Sequence, residues 1–291
     1  MGVNTIKDID VQAKRADVLF VKAFEDDIRK LVQILGIFDP IRRSPGTALK
    51  FYETSGTLES GTVAEGEDIP LSKYVRTGEH IVSLDWGKWA KETTLEAISA
   101  NSYAEAVQET DAAFIRDIQK VIRRQIFDFL KTGTGVSADD GAAISGTGLQ
   151  QTLANVWGTT QVAFENTAAS PMFFMNPLDV AAYLGTATIT NTGEVAFGMT
   201  YLQNFLGMYP TVLASDVAKG TVICTPRENL RLYYAHASSA EGFNFETSDA
   251  TGYIGVHHEP THRNMTFQTY AVSALKPFCA YLDKIWVATI E

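Results

Sequence analysis

Residues 103–132 contain neither glycine nor proline, and this stretch constrains the fold more than any other part of the chain. It predicts a helix of about 29 residues and about 43 Å, much longer than the helices of an average globular domain. Its apolar residues recur at the spacing of one helix face, so that face is expected to pack on a core. The predicted face comprises Val107, Phe114, Ile115, Ile118, Val121, Ile122, Ile126 and Phe129.

Three residues of this helix break the pattern. Asp111 and Gln125 fall on the predicted apolar face, where each would need a polar partner. Phe127 falls on the opposite side, among charged residues. We therefore expect Phe127 to face outward and to contact a second molecule.

A second helical pattern covers residues 16–36, with the sequence ADVLFVKAFEDDIRKLVQILG. Its apolar residues again share one face, Gly36 is a suitable C-cap, and Pro40 is a stop. The residues before it are mostly polar and have little to bury. They predict an extended N-terminal arm.

Between the two helices, residues 49–84 have the composition of strands. The runs LKFYET and EHIVSL are rich in β-branched and aromatic residues. The long connection between them is rich in glycine and charge, and connections of this length are uncommon unless they have a function. We predict a projecting hairpin at about residues 59–88, with Glu65, Glu67 and Asp68 solvated at its tip.

The chain changes character after the long helix. Residues 131–148, KTGTGVSADDGAAISGTG, predict a flexible domain boundary. Short elements follow: a helix at TGLQQTLANVWG, a strand at PMFFM, and a helix capped by Asn176 and ending at Gly185. The later strands are predicted at TVICT, NLRLYYA, YIGVHHE, MTFQTYAVSAL and KIWVATIE.

Composition and motifs argue against several classes of function. The net charge of −10 disfavours a protein that grips nucleic acid phosphates, and no apolar run is long enough to span a membrane. Cys224 and Cys279 are expected to be reduced and buried. The dinucleotide-like motif GTGVSA at 133–138 follows a helix instead of a strand, so a linker is the better interpretation. We predict no catalytic residues, no cofactor and no enzyme activity.

The stretch HHEPTH contains three of the five histidines of the chain. Pro260 prevents a helix through it, and adjacent residues of a strand face opposite sides. We expect Pro260 and Thr261 to lie in a turn with solvated histidines, and no metal. The alternative is a metal-dependent hydrolase that uses His257, His258 and His262.

This order of elements resembles the major capsid proteins of tailed bacteriophages, which have the Hong Kong 97-like fold. The resemblance is most specific at GTVAEGEDIPLSKY, where Glu65-Gly66 and Ile69-Pro70 match a segment of the family's extended loop. The resemblance implies an α+β fold with an N-terminal arm and helix (1–45) and a peripheral domain (46–140) that holds the extended loop (about 59–88) and the spine helix (about 103–131). An axial domain (141–250) and a return to the peripheral domain (251–291) complete it.

The resemblance also implies a function. The chain would be a virion capsid protein that is assembled in the host cytoplasm, from many copies arranged as pentamers and hexamers. The shell would enclose double-stranded DNA without sequence-specific binding, with a separate scaffolding protein and a portal as further partners. An encapsulin-like nanocompartment shell is the alternative, and a tail or adhesion protein is a third. The expected assembly contacts are Val63, Glu65, Gly66, Ile69, Pro70, Leu71, Lys73, Tyr74 and Phe127.

Overall fold

The computed structural model describes residues 8–35, 40–164, 170–185, 194–196, 198–207, 209–239, 242–248, 251–279 and 281–291. The helices are α1 (Asp8–Leu35), α2 (Leu95–Tyr103), α3 (Thr110–Leu130), α4 (Leu149–Ala163) and α5 (Pro177–Leu184). The strands are β1 (Ile41–Arg42), β2 (Ala48–Thr57), β3 (Lys73–Ser83), β4 (Gly87–Thr94), β5 (Ser145–Gly146), β6 (Pro171–Met175), β7 (Glu194–Ala196), β8 (Met199–Phe205), β9 (Tyr209–Leu213), β10 (Thr221–Pro226), β11 (Leu230–Ala235), β12 (Ile254–Thr261), β13 (Thr266–Cys279) and β14 (Trp286–Ile290). None of these helices is long and apolar enough to cross a membrane.

The long helix predicted from the sequence is present. α2 precedes it from Leu95, Ser102 interrupts the helical backbone with φ 71°, and the π-helical segment Ala104–Glu109 leads into α3. A π-helical turn holds more residues than an α-helical turn, so it shifts the face that α3 presents to the core. The fully helical stretch therefore runs from about residue 103 to residue 130, as predicted.

The predicted apolar face of α3 was partly wrong. Phe127, which was expected to face outward, is 0% exposed and packs edge-on against Phe174 of β6 at 5.8 Å between ring centroids. Gln125 is exposed instead of lying on the buried face, and Val121 is 39% exposed. The physical reason is that α3 packs on both sheets, so its buried face is rotated toward Phe127 and Leu130, and Val121 and Gln125 turn toward solvent.

The first sheet has five strands and is organised around β13. β12 and β4 pair antiparallel with the N-terminal half of β13, β11 pairs antiparallel with its C-terminal half, and β1 pairs parallel with β11. Both α1 and α3 contact this sheet. Apolar residues of these two helices form one core with residues of β11, β12 and β13.

The second sheet has seven strands in the order β5-β14-β10-β6-β9-β8-β7. This order pairs two strands across the predicted domain ranges. β14, which was expected to return to the peripheral domain with residues 251–291, pairs with β10. β11, which falls within the predicted axial range 141–250, pairs with β13 in the other sheet. Sheet membership therefore alternates along the C-terminal half, a pattern that strand propensity alone cannot reveal.

The predicted flexible boundary is tied to the C-terminal segment. Backbone N–H groups of Thr134 and Gly135 donate to the carbonyls of Leu282 (3.0 Å) and Ile285 (2.9 Å). A Cβ atom at Gly135 would lie 2.6 Å from the Ile285 carbonyl oxygen, so glycine permits this close approach. The glycines of this stretch serve packing as well as turning.

The N-terminal prediction also changes. Residues 8–15, which were expected to belong to an extended arm, form the beginning of α1. Residues 1–7 of the predicted arm lie outside the described residues. The predicted apolar stripe of α1 is confirmed at the buried residues Phe20, Phe24, Ile28 and Leu31, but Leu19, which belonged to the predicted stripe, is 52% exposed.

Candidate assembly surface

The strands β2 and β3 form a separate two-stranded antiparallel sheet, and residues 48–83 are named the ribbon here. β2 has 10 residues and is therefore about 34 Å long. β2 begins at Ala48, about eleven residues before the predicted loop boundary at about residue 59, and the connection at 58–72 forms the tip of the ribbon. The predicted hairpin is thus present, and its strands are longer than the runs LKFYET and EHIVSL.

The tip holds its shape through a few local hydrogen bonds. The Glu67 N–H donates to the Ala64 carbonyl at 3.1 Å across a turn in which Gly66 has φ 91°. This backbone conformation favours glycine, because a Cβ atom would be strained there. The Glu59 N–H donates to Ser72 Oγ at 3.0 Å and closes the base of the tip.

The ribbon exposes many large apolar side chains. Leu71 is 91% exposed and Leu58 is 77% exposed, which are high values for leucine. Scattered apolar residues on a surface are ordinary, but a group of them on one narrow element indicates a surface that another molecule covers. Among the ribbon side chains that the structure describes, the exposed large apolar ones are Tyr52, Leu58, Ile69, Leu71, Tyr74, Val75 and Ile81.

Eight of the nine predicted assembly contacts lie on the ribbon. Val63 is half-buried, and the other seven (Glu65, Gly66, Ile69, Pro70, Leu71, Lys73 and Tyr74) are exposed. The ninth, Phe127, belongs to the core of its own chain, so the prediction that it contacts a neighbour was wrong. The acidic tip residues Glu65, Glu67 and Asp68 are exposed, as predicted.

The three clustered histidines differ from one another. His262 is exposed, and His257 is half-exposed on β12. His258 has a fully buried side chain, so the prediction of a turn with solvated histidines was wrong for this residue. Pro260 and Thr261 belong to β12 and pair with Phe267 and Thr266, so the turn begins only at His262.

His258 lies in a group of four ionisable side chains, which we name the buried charge cluster: Asp17 of α1, Lys91 of β4, Asp111 of α3, and His258 of β12. His258 Nδ1 contacts Asp17 Oδ1, and its Nε2 lies 3.1 Å from Asp111 Oδ2. Lys91 Nζ lies 2.6 Å from the other oxygen of Asp111. The lysine also donates to the Val107 carbonyl at 3.1 Å. Asp111 thereby obtains the polar partners that its position required.

The pKa directions in the cluster have clear causes. Burial raises the pKa of Asp17 and lowers the pKa of Lys91, although Asp111 partly opposes the change at the lysine. Burial acts to lower the pKa of His258, but hydrogen bonds and charge interactions with Asp111 and Asp17 outweigh it and raise the pKa. The cluster therefore favours a protonated imidazole between two carboxylates.

The other face of the same sheet carries an aromatic groove of about 750 Å³. Phe243, which lines the groove, is 71% exposed and stacks on Phe245 with 5.8 Å between the ring centroids. His257 and Glu259 line the groove together with Trp86, Trp89 and Tyr270. Sequence alone does not reveal this groove, because its residues come from four separated segments.

The alternative metal site is not supported by the geometry. His257 and His258 face opposite sides of β12, and both ring nitrogens of His258 already contact carboxylates. Within the described residues, no group of three or more His, Cys, Asp or Glu side chains is placed to hold a metal ion. Cys224 and Cys279 are buried and free, as predicted.

No protein-family model and no curated protein sequence matches the chain. Solved structures do match it over most of its length. The capsid of an empty GTA particle superposes with a TM-score of 0.57 and 11% identity, covering 86% of this chain and 87% of that one. The capsid of cyanophage A-1(L) superposes with a TM-score of 0.56 and 12% identity, covering 89% of this chain and 91% of that one.

A third match is the SrpI encapsulin from Synechococcus elongatus PCC 7942, with a TM-score of 0.52 and 11% identity, covering 90% of this chain and 86% of that one. These identities are too low to transfer residue roles, but each match covers at least 86% of this chain. Phage capsids, a GTA capsid and an encapsulin thus share one architecture with this chain. The chain has the α+β Hong Kong 97-like fold of capsid and encapsulin shells.

Proposed function

We propose that the chain is the major capsid protein of a tailed bacteriophage, and that the ribbon of each copy lies across a neighbouring copy. The observation that carries this proposal is the group of exposed apolar side chains on a ribbon that forms its own sheet. An isolated two-stranded ribbon is marginally stable in water. A neighbouring subunit would cover its apolar side chains and fix its position.

The energetics suit a symmetric shell. Full burial of a large apolar side chain contributes about 1.5–3 kcal/mol, so a few ribbon residues can drive a modest contact. Association also costs translational and side-chain freedom, so the contact between any two copies remains weak. A closed shell repeats the same contact at every subunit, and pentamers and hexamers of one chain supply that repetition.

The charge of the chain agrees with a container for DNA. A net charge of −10 disfavours strong binding of phosphates and would let a packaged genome lie against the shell without adhering. In this proposal the role is structural and not catalytic, assembly takes place in the host cytoplasm, and the finished protein resides in the virion. A scaffolding protein and a portal would be separate partners.

The assembly role can be tested by replacing Leu71 of the ribbon with serine. Leu71 is 91% exposed, so Leu71→Ser should leave the melting temperature unchanged and lower the yield of closed particles at least tenfold. The matched control is Leu178→Ser on α5, where leucine is 62% exposed, and particle yield should persist. Particle yield would be measured by electron microscopy and sedimentation. Wild-type yield from Leu71→Ser would contradict the ribbon's role.

The contents of wild-type particles distinguish the bacteriophage from the encapsulin alternative. Particles purified from the organism that produces the chain would be treated with nuclease and then analysed for protected DNA and for co-purifying proteins. Protected double-stranded DNA of uniform length supports the capsid proposal. A stoichiometric enzyme cargo without DNA would replace that proposal with the nanocompartment.

A further inference from the structure

The geometry points to the buried charge cluster as a proton-dependent latch that holds the N-terminal half of α1 against the body of the protein. This inference goes beyond the proposed capsid function and does not depend on it. It rests on the placement of His258 between one carboxylate from α1 and one from α3. The two helices are joined at this point through a single imidazole.

The hydrogen-bonding capacity of imidazole provides the central argument. A neutral imidazole has one N–H donor and one acceptor nitrogen, whereas an imidazolium has two donors. Both ring nitrogens of His258 face carboxylate oxygens, which accept only. In the neutral form one nitrogen lone pair would therefore point at an oxygen of Asp17 or Asp111. Only the protonated ring satisfies both helices when the carboxylates are ionised.

The charge balance leads to the same conclusion. Lys91 and protonated His258 offset Asp17 and Asp111, so the buried charge cluster is neutral in this state. Loss of the histidine proton leaves a net negative charge in a site where the His258 side chain is fully buried. An uncompensated buried charge is costly, so the deprotonated cluster favours release of one carboxylate to water.

α1 is the element that can release its carboxylate. Asp111 has a second partner in Lys91, 2.6 Å away, and lies within a helix packed on both sheets. Asp17 lies in the first half of α1, and its contact in the cluster is with His258. The C-terminal half of α1 has separate attachments, including Gln119 Nε2, which donates to Asp27 at 2.6 Å. Deprotonation would therefore weaken the docking of the first half of α1, where Phe20 near its end keeps an apolar contact with Phe114, and leave the second half docked.

The other groups around His258 do not replace the missing proton. Thr269 of β13 donates to Asp111 at 3.4 Å, and the Phe267 ring stacks on the imidazole at 5.8 Å. The Tyr103 hydroxyl is buried near the carboxylates, and burial raises its pKa. The charges of His257 and Glu246 act on the pKa of Asp17 in opposite directions: His257 lowers it and Glu246 raises it.

The sign of the pH effect follows from the raised pKa of His258. His258 binds its proton more tightly when α1 is held against the body of the protein than when it is released. Protonation therefore stabilises the held state fully below the ordinary pKa of histidine, and this stabilisation is lost as pH rises through the raised pKa. The raised pKa of Asp17 acts in the same direction. The latch is therefore closed below the ordinary histidine pKa of 6.5 and opens as pH rises through the raised pKa of His258.

Hydrogen exchange of the full chain, followed by mass spectrometry, tests this inference between about pH 6 and about pH 9.5. After correction for intrinsic exchange rates, protection in residues 9–21 should fall by up to about tenfold per pH unit above the raised pKa, whereas residues 119–130 keep theirs. Asp17→Asn should flatten this pH dependence, because a neutral amide can pair with a neutral imidazole. Asp27→Asn is the matched control on the same helix and should retain the wild-type slope.

Two results would overturn the latch. One is a constant ratio of protection between residues 9–21 and 119–130 over the whole pH range in the wild-type chain. The other is a wild-type slope in Asp17→Asn. The wild-type profile needs no variant, so the inference stays falsifiable even if Asp17→Asn folds poorly.

Discussion

The ribbon and the buried charge cluster show two opposite ways of using side chains. In the ribbon, backbone groups pair between two strands while large apolar side chains such as Leu58, Leu71 and Tyr74 face water. In the cluster, charged side chains are buried and every one has a partner from another element of the same chain. In the proposed capsid a neighbouring copy completes the first region, whereas the second has its partners within one chain.

This difference separates folding from assembly. Residues whose partners lie in the same chain contribute to the stability of the subunit, and their loss should lower it. Residues whose partners lie in another copy contribute only after association. A substitution should therefore affect either subunit stability or particle yield, according to the region in which it lies.

The largest loss of subunit stability is expected for Phe127→Ala on α3. This side chain is 0% exposed and packs on Phe174, so its removal should cost about 3–5 kcal/mol of unfolding free energy through lost burial and a cavity. Urea denaturation would measure the change. The control is Val121→Ala on the same helix, where valine is 39% exposed, and it should stay within about 0.5 kcal/mol. If both substitutions changed the unfolding free energy by the same small amount, Phe127 would have to lie at the surface.

A smaller loss is expected for Asn176→Ala at the start of α5. The Asn176 side chain accepts from the Leu178 N–H at 2.9 Å and donates to the Val217 carbonyl at 2.7 Å. Loss of the cap and of the second bond should cost about 1–2 kcal/mol. The control is Gln151→Ala on the exposed side of α4, which should be nearly neutral. A neutral Asn176→Ala would show that Pro177 alone sets the beginning of the helix.

Local patterns predicted the elements that depend on neighbours in sequence. The glycine-free and proline-free stretch at 103–132 indicated the spine helix, and Asn176 with Pro177 indicated the beginning of α5. The unusual length of the connection after β2 indicated the ribbon. In each case the physical cause, such as backbone freedom or a cap, lies within a few residues of the element.

Features that depend on distant partners could not be predicted. Asp111 was expected to need a polar partner, but His258 lies 147 residues away and nothing local connects the two. Phe127 was placed outside because a single apolar face was assumed for a helix that contacts two sheets. The alternation of β11 and β14 between the sheets has the same origin, since pairing is decided by packing of the whole chain.

The smallest effect on subunit stability is expected in the ribbon, where deletion of residues 65–72 removes the exposed tip. Glu65, Ile69 and Leu71 are exposed there, so the melting temperature of the unassembled subunit should change little. Closed shells should nevertheless be lost, because the neighbour would no longer be covered. A collapsed melting temperature would place the tip in the subunit's own core, and normal particle yield would remove its role in assembly.

Limited proteolysis of the wild-type chain sharpens the same comparison without a deletion. Before assembly, the tip is held by few bonds, including those from Glu59 to Ser72 and from Glu67 to Ala64, so cleavage should concentrate within residues 61–78. After assembly a neighbouring copy should cover the peptide bonds of residues 61–78 and slow their cleavage at least tenfold. Sites around His258 should resist protease in both states, because that region is already complete in one copy. Equal cleavage of the tip before and after assembly would mean that the ribbon projects freely from the shell and covers no neighbour.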